Sequence, residues 1–249
     1  MSREDLINEH SVDAIEKRLQ EGPRHSYLRD FVYGAIDGTV TTFAVVAGVV
    51  GADLKTGIIL VLGVANLLAD GFSMAVSNYL GTRAEQQQHF RARMIEEKHI
   101  EDIPEGEREE VRQIFAGKGF SGDQLEHVVG VITSDRQLWV ETMMKEELGL
   151  PWHEVSALRA GVATMIAFVS VGTLPLIAYA IEAARPGTIG EPFLVSAVMT
   201  VLAFVLVGAA KSRFVLASWW RSGLETLVVG GVAAALAYAA GVLLAGLAD

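Results

Sequence analysis

The 249 residues contain no cysteine. Disulfides, thiolate metal sites and thiol chemistry are excluded, and a soft metal ligand could come only from a methionine thioether. The opening stretch, MSREDLINEHSVDAIEKRLQEG, is acidic and lacks the apolar core of a cleaved secretory signal, so the first long apolar run is expected to act as the signal anchor. No internal repeat and no low-complexity tract interrupts the chain. Nor is there an excess of base: 20 Lys and Arg stand against 30 Asp and Glu, a net charge of −10. Such a balance argues against nucleic acid as a partner and for cations.

What the chain does have is apolar length. Hydrophobic residues make up 51% of it, with a mean hydropathy of +0.36. They gather in five runs, at about 31–52, 57–80, 157–181, 192–210 and 223–247. Each is of bilayer-spanning length and nearly uncharged, which predicts an all-α integral membrane protein with five transmembrane helices. A soluble protein with five buried helices is the plainer alternative, but it does not call for runs of this length without charge. Arg24 and Arg29 precede the first span, Arg83, Arg91 and Arg93 follow the second, and Lys211, Arg213 and Arg221 separate the fourth from the fifth. The other side has only Lys55 and Arg185 near the span ends. This bias places the N-terminus in the cytosol and the C-terminus across the membrane.

Between spans two and three lies an acidic block. From Glu85 to Glu154 there are 16 Asp and Glu against 8 Lys and Arg, more than half of the chain's acids. The second span is expected to run on as a helix to about Glu97. Pro104 suits the first turn of a second helix ending near Gly117-Lys118-Gly119. Ser121-Gly-Asp-Gln124 reads as a capping box opening a third helix, which ends near Gly149-Leu-Pro151. The expected organisation is a cytosolic amphipathic segment over 1–29, spans one and two over 30–82, a cytosolic three-helix metal-binding insert over 83–156, and spans three to five over 157–249. Within the first segment, residues 4–19 suit one short amphipathic helix on the membrane surface, ended by Gly22-Pro23; a frayed, solvated tail is the alternative.

Two groups of residues carry chemistry. In the second span Asn66, Asp70, Met74 and Asn78 recur every four residues, so a polar, sulfur-bearing stripe runs down an apolar helix. Lipid cannot satisfy that stripe, which must face protein or water. In the first span Asp37 lies beside Gly34-x-x-x-Gly38, a pattern that lets another helix backbone approach closely. An aspartate held structurally by Thr39, Thr41 and Thr42 is the alternative to a functional carboxylate there. The second group is in the insert: Glu96 and His99 share one helix face, Glu107 and Glu110 another, and Met143, Met144 and Glu147 a third. Carboxylates and imidazole suit Fe²⁺, Mn²⁺, Zn²⁺ or Co²⁺, and a thioether disfavours a purely Ca²⁺ or Mg²⁺ site. The alternatives are a solvated acidic face, accepted for Glu97, Glu101, Glu105 and Glu109, and core packing for Met143 and Met144. Pro175 should kink or break the third span, the Gly- and Ala-rich fifth span should pack closely on a neighbour, and Glu225 reads as an interfacial charge.

DGTVTTFAVVAG in the first span, SMAVSNYLGTRAE in the second and WVETMMKEELGLP at the end of the insert resemble the vacuolar iron transporter family, over residues 29–249. The resemblance implies five spans per subunit, a homodimer, and a cytosolic three-helix metal-binding domain between spans two and three. It implies export of Fe²⁺, often also of Mn²⁺, from the cytosol in exchange for protons, with no prosthetic group. By motif position it assigns translocation to Asp37 and Met74, and metal gathering to Glu96, Glu107, Glu110, Met143, Met144 and Glu147. Three positions depart from the family pattern: His99 stands for Glu, Asn78 for the Glu of Gly-Glu-Tyr, and Asn66 for an acidic residue, while Asp70 adds a carboxylate one turn before Met74. The expected host is a bacterial plasma membrane, with a vacuolar membrane giving the same pattern. Two other functions compete. A membrane-attached di-iron oxidase would use Glu96-x-x-His99, but such bundles need two of these motifs. A metal sensor or buffer anchored in the membrane would have no use for Asp70.

Overall fold

The structure, a computed structural model, describes residues 3–21, 26–150 and 155–247. The expected helix stops at Gly22-Pro23 and Pro151, together with Arg24 and Glu154, lie outside the described residues. Among the described residues there is no strand. The helices are α1 (Arg3–Glu9), α2 (Val12–Glu21), α3 (Leu28–Gly51), α4 (Thr56–Asp102), α5 (Pro104–Gly117), α6 (Gly122–Ser134), α7 (Arg136–Glu146), α8 (Ala157–Gly172), α9 (Leu174–Ala184), α10 (Pro192–Lys211) and α11 (Trp219–Leu244), with a 3₁₀ turn at Ala245–Leu247. They form two compact units. An apolar unit comprises Ser26–Gly81 and Ser156–Asp249, and a polar unit comprises Met1–His25 and Thr82–Val155.

In the apolar unit, α3, α4, α10 and α11 are each long and apolar enough to cross a membrane, and α8 with α9 makes a further crossing if that bent pair is one span. The pair is bent by 49°. The bend falls where the sequence predicts it: Pro175 sits in the first turn of α9, has no N–H to continue the α8 ladder, and leaves Thr173 as the joint. Its own carbonyl accepts a hydrogen bond from the buried Ser196 hydroxyl on α10 at 2.6 Å. Helix α3 is central, packing against α8, α9, α10 and α11. Glycine makes the closest approaches possible. A Cβ on Gly38 would lie 2.5 Å from the Phe168 carbonyl oxygen of α8, and one on Gly172 would lie 2.8 Å from the Gly38 carbonyl oxygen. Gly34 abuts Thr164 of the same helix, so the Gly34-x-x-x-Gly38 pattern marks the α3–α8 contact. The fifth span packs as its composition suggests, Gly241 against Gly48 of α3 and Gly230 against Phe204 of α10. Around these contacts Val46, Val49, Ile59, Leu67, Phe168, Leu176 and Tyr179 form the main core. On the other side of α4, Val61, Leu62, Val64, Leu68 and Phe72 are exposed, as a lipid-facing surface requires.

The polar unit has a core of its own: Ile100, Val111, Val129, Ile132, Trp139, Val140, Met143 and Met144. Two helices expected to be single are each broken. The predicted helix over 4–19 is α1 and α2, parted at His10-Ser11, where the Ser11 hydroxyl accepts from the Ala14 N–H at 3.4 Å. The predicted third helix of the insert is α6 and α7. Asp135 adopts an extended conformation between them, and its side chain accepts from the Leu138 N–H at 3.0 Å. In both cases a short oxygen-bearing side chain takes a free backbone N–H and offers the chain a new start. Ser121 does stand at the α6 N-cap, but its side chain makes no capping bond. The extension of α4 runs five residues beyond Glu97, to Asp102, and stops where the approaching Pro104 disfavours helix.

Candidate functional site

In the apolar unit, Asp37 of α3 is half-buried, as are Asn66, Asp70, Met74 and Asn78 of α4. The stripe therefore runs along the margin of the helix contact, turned away from the lipid-facing residues. Asp37 and Asp70 lie close enough for their charges to interact. The three threonines near Asp37 do not hold its carboxylate. Thr39 donates to the Ala35 carbonyl at 2.7 Å, Thr41 donates to the Asp37 backbone carbonyl at 2.9 Å, and the buried Thr42 hydroxyl has no partner among the described residues. The purely structural reading of Asp37 thus loses its donors.

The two asparagines are engaged differently. Asn66 donates to the Thr41 hydroxyl at 3.2 Å, linking α4 to the turn of α3 that follows Asp37. Asn78 donates to Asp30 Oδ1 at 2.9 Å and to the Thr164 hydroxyl at 2.7 Å. Both of its N–H bonds are thereby engaged, and the amide ties α3, α4 and α8 together. Met74 packs against the main core. A second thioether stands nearby, since a Cβ on Gly71 would lie 3.4 Å from the Met165 sulfur of α8. The sequence does not single out Asp30, Thr164 or Met165, and offers Thr41 only as a holder of Asp37. Asp30 could have been singled out, because it lies two turns before Asp37 on the same helix face. A lone Met and two Thr on apolar helices carry no comparable signal.

In the polar unit the foreseen acidic residues converge. Glu96 and His99 come from the end of α4, Glu107 and Glu110 from α5, and Glu147 from the end of α7. Glu96 is 3% exposed and Glu107 2% exposed, each one turn before a buried core residue of its helix, Ile100 and Val111. Burial, a hydrogen bond with Glu107, and the charges of Glu107, Glu147 and Glu110 push the Glu96 carboxyl up to about 8. At neutral pH the Glu96 carboxyl therefore keeps its proton. His99 Nδ1 lies 3.4 Å from Glu107 Oε1. Burial and the Glu107 charge raise Glu110, and burial with the charges of Glu110 and Glu107 raises Glu147; His99 opposes both shifts. One oxygen each of Glu96 and Glu107 is buried without a hydrogen-bond partner. Unsatisfied buried carboxylate oxygens call for a cation or a proton.

The cluster is gathered but not closed. Among the described residues, no group of three or more His, Asp or Glu side chains is arranged to hold a metal ion as it stands. Met143 and Met144 are fully and almost fully buried among the apolar core residues, which accounts for them as packing. The remaining acids behave as solvated charges. Glu97 pairs with Arg93 at 2.9 Å, and Glu101 approaches Arg136 at 3.9 Å. Arg112 joins Glu109 to Glu126, and Lys118 binds Glu146. Glu225 pairs with Lys211 at 2.8 Å, in keeping with an interfacial charge.

Apolar helices of spanning length, with carboxylates, amides and thioethers at their mutual contacts, define an integral membrane protein whose polar groups serve its interior. A sequence profile of the VIT family matches residues 28–242, nearly the whole apolar unit and the insert. The chain belongs to the VIT family. It is 34% identical over 246 residues to a protein of Toxoplasma gondii named vacuolar iron transporter, covering 96% of this chain and 81% of that one. It is 30% identical over 244 residues to vacuolar iron transporter 1 of Arabidopsis thaliana, covering 95% and 96%. It is 32% identical over 240 residues to vacuolar iron transporter 1 of Tulipa gesneriana, covering 96% and 92%.

Proposed function

We propose that the protein is a secondary transporter, not an enzyme, that moves Fe²⁺ out of the cytosol in exchange for protons, with Mn²⁺ as a second cargo. The observation that carries this reading is the interacting pair Asp37 and Asp70 on neighbouring apolar helices. Two carboxylates in an apolar bundle are costly unless a cation or a proton compensates them. Metal and protons then compete for the same oxygens, which is a simple route to antiport. Met74 supplies a thioether to the path, and Met165 adds a second on the facing helix. Asn66 and Asn78, by their hydrogen bonds, hold the helices rather than the cargo.

The insert gathers the metal before translocation. Glu96, His99, Glu107, Glu110 and Glu147 are the ligands, and the cation takes the place of the Glu96 proton. Met143 and Met144 reach the metal only if the core opens by a side-chain rotation, so their part is secondary. The bent α8–α9 pair counts as one span in this reading. That makes five spans, with the N-terminus and insert cytosolic, and a homodimer closes the path. The names of the relatives favour a vacuolar membrane over a bacterial plasma membrane as host. Proteoliposomes with an imposed pH gradient test the reading. Fe²⁺ uptake should be accompanied by counter-movement of protons and abolished in Asp37→Ala. Normal flux in both Asp37→Ala and Met74→Ala would overturn the proposed path.

A further inference from the structure

The connection from α10 to α11 is not absorbed by the transport reading. Residues Ser212–Ser218 are non-helical and turn the chain back into α11. Phe214, Leu216, Trp219 and Trp220 are all exposed there, Leu216 completely so. Trp219 and Trp220 are the only tryptophans of the apolar unit. Arg213 and Arg221 are exposed beside them, and the Arg221 guanidinium lies 5.2 Å from the centre of the Trp220 ring. The one acid between residues 211 and 225 is Glu225, and Lys211 neutralises it. Among the described residues no ion pair uses Arg213 or Arg221.

Packing within the apolar unit places this turn at one end of the bundle. Val207 and Ala210 of α10 pack with Leu28, Val32 and Ala35 at the start of α3, and Gly208 abuts Gly223. Asn78 binds Asp30, and the Ser156 N–H donates to the Tyr27 hydroxyl at 3.0 Å, so Gly81 and Ser156 lie at the same end. Exposed Arg29 and Arg159 join the two arginines there. The connection at the opposite end has no tryptophan, and Glu182 caps its backbone through the Gly187 and Ile189 N–H groups.

Indole and phenyl rings prefer the depth at which headgroups meet acyl chains. Guanidinium groups at that depth are attracted by phosphate, and cytosolic leaflets carry anionic lipid. We infer that the turn Ser212–Arg221 is a docking surface for anionic phospholipid headgroups. Arg213 and Arg221 meet the phosphates, while Phe214, Leu216, Trp219 and Trp220 seat in the acyl boundary. The inference rests on the membrane reading of the helices and is independent of the cargo.

Titration of the detergent-solubilised full chain with brominated phosphatidylglycerol or brominated phosphatidylcholine tests it. Tryptophan quenching is the readout, and Trp219→Phe/Trp220→Phe provides the background from the other two tryptophans. The phosphatidylglycerol midpoint should fall below the phosphatidylcholine midpoint by about fivefold for each arginine, about 25-fold in all. Arg213→Gln/Arg221→Gln should remove that preference, and Arg185→Gln at the opposite end should leave it. High salt should remove it from the unaltered protein, an arm that needs no folded variant. Equal midpoints for the two lipids would overturn the inference, as would a preference that survives both the double substitution and salt. Protection of Trp219 and Trp220 that follows protein concentration rather than lipid charge would assign the face to a second copy and equally overturn it.

Discussion

Glu96 shows how one side chain can connect stability to pH and to metal. Its carboxyl is raised from the ordinary 4.5 to about 8, first by burial and then by Glu107. A group raised in the folded state binds its proton more tightly there than in the unfolded chain. The stability it contributes is complete below about 4.5 and is lost as pH climbs towards 8. Thermal unfolding of the polar unit, followed by protection of its amides in the full chain, should therefore weaken between pH 5 and 8. Glu96→Gln should flatten that slope and be more stable than the parent at pH 8, by roughly 1–3 kcal/mol, because the buried charge is gone. Mn²⁺ should restore the parent at pH 8 but not the variant. A different balance holds at Asn78, whose amide donates one hydrogen bond to the Asp30 carboxylate and one to the Thr164 hydroxyl. Asn78→Ala should cost about 1 kcal/mol of helix association, the modest scale of such bonds between membrane helices, read as a fall in thermal midpoint in detergent.

At the scale of the element, close packing of backbones decides what substitutions the apolar unit tolerates. A Cβ on Gly38 would meet the Phe168 carbonyl oxygen and Cα on α8, neither of which can rotate aside. Gly38→Ala should therefore cost roughly 1–3 kcal/mol or more, the range for overpacking a well-filled site. Gly231 of α11 has open space at the same position, so Gly231→Ala should leave the melting temperature unchanged or raised. Equal effects of the two substitutions would show that the α3–α8 contact is not the tight one. In the polar unit, Asp135→Ala removes the side chain that starts α7 and should destabilise that unit by about 1 kcal/mol, measurable by amide exchange over Arg136–Glu146.

For the whole molecule, if the two units divide the work as proposed, their contributions should separate kinetically. Neutralising Glu107, Glu110 and Glu147 together should raise the metal concentration needed for half-maximal flux in proteoliposomes, while the rate at saturating metal is largely kept. Asp70→Asn should lower the saturating rate itself, if Asp70 lies on the proposed path and takes no part in gathering cargo. Deletion of the insert with transport intact at high metal would give the same division.

Much of this organisation was legible in one dimension. Long uncharged runs can do little but span a bilayer, since their backbones must bond within themselves, so the apolar helices and the Pro175 break follow from local chemistry. The Gly34-x-x-x-Gly38 contact follows from the absence of side chains. Charges spaced by one helical turn placed Glu96, His99, Glu107, Glu110 and Glu147 on faces that do come together. The helix breaks at Ser11 and Asp135 were missed because a single polar side chain that caps a helix looks, in sequence, like one exposed on its surface. Which polar residues are free and which are engaged was decided only by tertiary structure. Asn78 and Asn66 looked like Asp70 and Met74 in the stripe, yet their donors are taken by Asp30, Thr164 and Thr41, residues up to 86 positions away in the chain. Met143 and Met144, open to a ligand or a packing role in sequence, are buried in the apolar core. Periodicity places a residue on a face, but its function depends on what the facing helix presents to it, and that partner is set by packing between elements distant in sequence.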